Sequence, residues 1–181
     1  MSASSAPRGP TLGHLTRRFA GALWPAGPPA ADEEWVAATL SPSQLALWRR
    51  MRGPDRRHAV AVAHRVVAAL GPAASTPAVR SAALLHDVGK LESGLGTLAR
   101  LPATVLGMAR GHDRARQWSG RDGFFRRVGL YLDHPRLGAA LLEEAGSDPL
   151  TVTWAAEHHL PPGRWHVPAN LGEALKAADD D

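Results

Sequence analysis

The chain of 181 residues contains no cysteine. Disulfides, iron–sulfur clusters and thiolate zinc sites are thereby excluded, and any metal must be held by imidazole nitrogens and carboxylate oxygens. Lysine is nearly absent too. Only Lys90 and Lys176 stand among 21 basic residues, so the net charge of +4 rests on arginine. No Lys/Arg block alternates with aromatics, which make up 6% of the chain, and a stacking surface for nucleic acid is not expected. The modest basic excess is compatible with an anionic substrate or weak nucleic-acid contact. No apolar run approaches the roughly twenty residues of a membrane span. Thr16-Arg17-Arg18-Phe19 ahead of Ala20 to Trp24 has a faint likeness to a twin-arginine export signal, but the apolar stretch breaks at Pro25. A surface helix there, and a cytoplasmic protein without a membrane, are the expectation.

Alternating β-type patterns are also missing, and the helical signals that replace them recur along the chain, which places it in the all-α class. Residues 1–10 hold little to bury and should be disordered. Residues 11–54 read as a helical extension with a Pro-rich linker: a helix over Leu12 to Leu23, a break at Trp24-Pro25-Ala26-Gly27-Pro28-Pro29, then helices over Asp32 to Leu40 and Ser43 to Met51, the last capped by Ser41-Pro42. Residues 55–181 read as the main domain. Asp55 is expected to cap a helix that runs to Leu70 and stops at Gly71-Pro72, and Thr76-Pro77 opens one that stops near Gly89. Further helices are expected over Pro102 to Met108, Phe124 to Tyr131, Pro135 to Ala145, Pro149 to His159 and Leu171 to Asp179.

The chemistry starts at Ala82-Ala83-Leu84-Leu85-His86-Asp87-Val88-Gly89-Lys90. An apolar helix ends in a histidine and an aspartate side by side, a pair that is costly in a core without a partner or a metal. Gly89 permits a sharp turn after the pair, and Lys90 brings a positive charge near it. Of nine histidines, His58, His64, His134, His158 and His159 also sit at helix ends or on an apolar face. His134-Pro135 opens a helix; Glu157-His158-His159 closes another before Pro161-Pro162. Asp179 lies at the margin of the Leu171, Leu175, Ala178 stripe, in a helix that Asn170 and Glu173 are placed to cap. His58 and His64 are six residues apart, so they point about 120 degrees away from each other on a helix and do not readily share one metal. His112-Asp113 lies among arginines with no buried helix before it and reads as a solvated loop; His14 and His166 have similarly plain surroundings.

The order His58, His86-Asp87, Asp179 resembles the HD superfamily of metal-dependent phosphohydrolases. Asp55 to Ala63 resembles that family's first ligand segment, Ala82 to Lys90 its central segment and Ala174 to Asp179 its closing segment. The resemblance implies a helical HD-domain bundle with His58 as first ligand and His64 outside the site. His134, His158 and His159 resemble the added ligands of dinuclear members, including the HD-GYP phosphodiesterases. By that resemblance Asp87 bridges two ions, His58, His86 and Asp179 hold one, and His134, His158 and His159 hold the other. Leu160 stands where HD-GYP proteins have a glutamate, and Pro162-Gly163-Arg164-Trp165 stands where Gly-Tyr-Pro belongs, so cyclic di-GMP is not the expected substrate.

The implied activity is hydrolysis of a small phosphorylated or nucleotide-type substrate by a metal-activated water. Asp87 would orient or deprotonate that water, Lys90 would bind a phosphate oxygen, and Arg136 and Arg164 are near enough in sequence to add phosphate contacts. The cofactor would be one or two divalent transition metals per chain, drawn from manganese, iron, nickel, cobalt and zinc. Two other readings remain open at this stage: a di-iron HD-type oxygenase, and a metal-stabilised helical module without catalysis.

Overall fold

The chain enters its first described helix from Pro29, and Ser41 then sets the next: its hydroxyl accepts from the backbone N–H of Gln44 while the Gln44 side chain accepts from the backbone N–H of Ser41. This reciprocal capping box satisfies two amide donors that a helix start leaves orphaned. The computed structural model describes residues 25–96, 99–100, 103 and 117–180. The expectations for residues 1–10, the Leu12 to Leu23 helix, His14, the arginine pair at 17–18 and His112-Asp113 lie outside these residues, as does most of the Pro102 to Met108 helix. Among the described residues there is no strand, and no helix is long and apolar enough to cross a membrane.

The helices are α1 (Ala30–Thr39), α2 (Pro42–Arg50), α3 (Gly53–Ala74), α4 (Pro77–Leu85), a 3₁₀ turn (Val88–Ser93), α5 (Gly123–Leu132), α6 (His134–Glu144), α7 (Pro149–Glu157), a short 3₁₀ turn (Pro162–Arg164) and α8 (Ala169–Asp180). Thr76 caps α4 through the amide of Val79, and Asp148 caps α7 through that of Leu150. α3 does not stop at Gly71: the chain kinks there, with φ of 73°, and one further turn runs to Ala74. Only glycine takes that backbone conformation without strain. Asp55 is not the cap of α3. It sits in the first turn, three residues inside the N-cap position Arg52.

α4 is the buried axis of the fold. Every residue from Ser81 to Leu85 is buried, because α3, α7 and α1 cover it from different sides. Trp48, Val62, Val66, Leu84, Leu142, Trp154 and Leu175 bring five other elements to this core. Burying side chains of this size contributes roughly 1.5–3 kcal/mol each relative to exposure. α8 packs on α3, while α6 and α5 pack on the 3₁₀ turn. The ends of α4, α7 and α8 and the start of α6 are thereby gathered around Asp87.

Candidate metal centre

α4 ends at Leu85 and not near Gly89, so His86 occupies its C-cap and Asp87 opens the 3₁₀ turn. The reason lies across the turn. A Cβ on Gly89 would come within 2.0 Å of the His134 carbonyl oxygen and 2.5 Å of the Gly138 amide nitrogen. Gly89 does not adopt a positive φ. Its role is close approach: it lets the 3₁₀ turn lie against the start of α6 and carries Asp87 to His134. Gly138 answers from the other side, where a Cβ would meet the Gly89 nitrogen at 3.0 Å.

Three histidines share one device. His86 Nδ1 lies 2.9 Å from the Ala83 carbonyl, His134 Nδ1 2.7 Å from that of Tyr131 and His158 Nδ1 3.0 Å from that of Ala155. In each case Nδ1–H donates to the carbonyl three residues back, which turns Nε2 inward. That orientation suits a metal ligand, and two of these atoms have no other use. Nε2 of His86 and Nε2 of His158 are buried without a hydrogen-bond partner, a state that is costly unless a cation accepts the lone pair.

The inward nitrogens form two groups. His58, His86 and Asp179 offer ligand atoms within 4.8 Å of one another, and so do His134, His158 and His159. In the first group Asp179 Oδ1 lies 2.9 Å from His58 Nε2 and 3.5 Å from His86 Nε2. In the second, Nε2 of His134 and Nε2 of His159 are 3.2 Å apart. Because His134 donates through Nδ1, two ring nitrogens this close hold either a shared proton or a common cation. Asp87 stands between the groups. Its Oδ2 is 3.5 Å from His86 Nε2, and its Oδ1 is 3.2 Å from His134 Nε2 and 3.7 Å from His158 Nε2. Lys90 Nζ donates to Oδ2. An all-imidazole and carboxylate donor set of this kind fits a divalent transition metal.

The electrostatics agree with the geometry. Burial by itself would push the Asp87 carboxyl up, but Lys90, His86 and the His134 and His158 rings outweigh it and hold the group well below the ordinary range. Asp179 is likewise held down against burial by His58 and His86. Burial would lower His86, yet the two carboxylates push it up to about 10. The pair of carboxylates thus draws positive charge to the position where a metal would supply it. Burial lowers His134 and His158, and burial together with the neighbouring His158 lowers His159 to about 4, so these rings are neutral and able to ligate at neutral pH.

Every ligand candidate named from sequence is brought to this centre. His64 is not: its Nε2 lies 2.9 Å from Asp32 Oδ1, half-exposed, and its ring stacks on Trp35 at 4.7 Å. Arg136 turns onto Asp133, with Nε 2.8 Å from Oδ2, and does not line the cavity beside Asp87. Arg164 is exposed in the short 3₁₀ turn and lines no described cavity at the centre. His166, plain in sequence, donates its backbone N–H to Glu157 and sets its ring Nδ1 2.5 Å from the same carboxylate, tying the chain after α7 to the residue before His158.

The structure also adds residues that sequence reasoning missed. A cavity of about 210 Å³ reaches Asp87 and Lys90 and is lined with Arg50, Arg52, Asp55 and Arg100. Arg100 grips Asp55 through both amino groups, at 2.5 and 2.9 Å. No local signal marks these arginines, since the junction of α2 and α3 meets the 3₁₀ turn only through tertiary packing. Comparison with protein-family models, curated proteins and solved structures finds no match to the chain.

Proposed function

We propose that this protein is an HD-type phosphohydrolase that uses one or two divalent transition metals to cleave a small phosphorylated or nucleotide-type substrate. The observation that carries the reading is Asp87, whose two oxygens face two separate three-ligand groups. His58, His86 and Asp179 would hold one ion, His134, His158 and His159 the other, with Asp87 shared. Metals held there would acidify water and neutralise charge on a phosphoryl group. The chain's own residues account for the rest. Lys90, part-buried beside Asp87 at the inner end of the cavity, is placed to bind a non-bridging phosphate oxygen. Asp87 orients the attacking water. The new oxygen–phosphorus bond forms as the ester oxygen–phosphorus bond breaks, and the water proton passes by way of Asp87 to the leaving oxygen. The arginine-lined cavity supports an anionic substrate, as a phosphohydrolase requires.

The test is elemental analysis of protein purified without chelators, paired with anaerobic phosphatase and phosphodiesterase assays in Mn²⁺ or Fe²⁺. Bound metal with phosphate release supports the reading. Turnover that requires oxygen would move the assignment to oxidative chemistry, and bound metal without any turnover would move it to a non-catalytic module.

A further inference from the structure

The cavity beside Asp87 is asymmetric in charge and in depth. At its buried end Asp87 is nearly inaccessible and Lys90 is committed to it. At its open end lie Arg50 and Arg52, at the junction between α2 and α3. Arg100 is already neutralised by the two-pronged contact with Asp55. Arg50 has a loose partner, Glu92 at 3.6 Å, and both side chains are well exposed, at 56% and 40%. Solvent screens such a pair, so it yields readily to a better anion. The Arg52 backbone carbonyl accepts from the Arg56 amide, but the Arg52 guanidinium makes no hydrogen bond or ion pair with any described residue. The cavity therefore offers one cation beside the candidate metal centre and two further guanidinium groups, fork-shaped donors suited to phosphate, toward solvent.

We propose that Arg50 and Arg52 form a second anion subsite, so that the substrate is a compound carrying two phosphoryl groups, one seated at Asp87 and Lys90 and the other held at the α2–α3 junction. This rests on the phosphohydrolase reading for the first seat, whereas the second seat stands on the cavity alone. The segment ahead of the main domain then does more than cover the core: it supplies half of the substrate recognition. A compound with a single phosphoryl group would fill the inner seat and leave both arginines unanswered.

The experiment is calorimetric titration of the full-length, metal-loaded protein with inorganic pyrophosphate and, separately, with orthophosphate. Wild type is compared with the double variant Arg50→Ala/Arg52→Ala and with Arg50→Lys/Arg52→Lys. Both arginines are on the surface side of the cavity, and circular dichroism confirms that each variant is folded. Wild type should prefer pyrophosphate by about tenfold or more, the scale of one charge-assisted contact. The alanine variant should lose most of that preference and the lysine variant should keep part of it. A chelating effect of pyrophosphate on the metal is common to all three proteins and cancels in the comparison. An equal fall in affinity for both anions would mean that the arginines act only through their long-range field, and it would overturn the subsite; so would an unchanged preference. Loss of the preference in a protein that hydrolyses no phosphate ester would sustain the subsite and sink the phosphohydrolase reading.

Discussion

Replacing Gly89 with alanine adds one methyl group to a position with no room for it. The new Cβ would lie 2.0 Å from the His134 carbonyl oxygen and 2.5 Å from the Gly138 nitrogen, a full ångström and half an ångström inside the 3.0 Å that real contacts respect. Both obstacles are backbone, so no side chain can swing aside. The 3₁₀ turn must move away from α6, or α6 must move with it. Overpacking of this kind costs about 1–3 kcal/mol, and a clash against backbone belongs at the upper end. For a chain of this length about 3 kcal/mol lowers Tm by roughly 6–12 °C. The displacement also separates Asp87 from His134, so metal content should fall along with stability. Thermal denaturation followed by circular dichroism, with metal counted on the same sample, reads both. Gly163→Ala is the control: a Cβ there meets nothing within 4 Å, and Tm should stay within about 1 °C. If Gly89→Ala melted like wild type and kept its metal, the close approach of the 3₁₀ turn to α6 would not be what positions Asp87.

The ligand groups predict a hierarchy among single substitutions. His86→Ala or Asp87→Ala should leave no metal in elemental analysis, whereas His134→Ala or His159→Ala should remove at most one ion per chain; equal metal content in wild type and His134→Ala would argue for a single ion. His64→Ala breaks only the half-exposed link to Asp32 and the stacking on Trp35, so metal content should be unchanged and stability should fall by about 1 kcal/mol or less. Arg100→Ala leaves Asp55 without its bidentate partner, both groups being mostly buried, and should cost about 3 kcal/mol in urea denaturation. Chelation should lower Tm, because an ion present at a hundredfold its Kd stabilises by about 2.7 kcal/mol. A melting curve unmoved by chelator would count against a resident metal.

Much of the helical framework was legible in the sequence because its signals are local. Ser41-Pro42 and Thr76-Pro77 mark helix starts by side chains that reach only three residues ahead, and the apolar run Ala82 to Leu85 announces a buried helix ending in His86-Asp87. The errors fall where tertiary packing overrides a local signal. The 3.6-residue pattern continues smoothly from α4 past Leu85, and only packing against α6 tightens the chain into a 3₁₀ turn there. Asp55 has a good capping side chain, but Arg100, 45 residues away, claims it.

The sequence by itself determined the chemical character of the candidate centre: no thiol, nine histidines, and a histidine–aspartate pair costly to bury without a partner or a metal. It also supplied, by resemblance, which histidines to group. What only the tertiary structure decided is where those groups stand. His58 meets Asp179 across 121 positions of chain, Asp87 divides its two oxygens between two clusters, and Arg136 is diverted to a neighbour while Arg50 and Arg52 reach the same cavity as Asp87 from the junction of α2 and α3. A cap or a periodic stripe is set by residues within one or two turns, whereas the direction in which a helix end points is set by everything packed against that helix. Charge pairs and cavities depend on those directions, and they became visible only once α3, α4, α6, α7 and α8 had been brought together around one core.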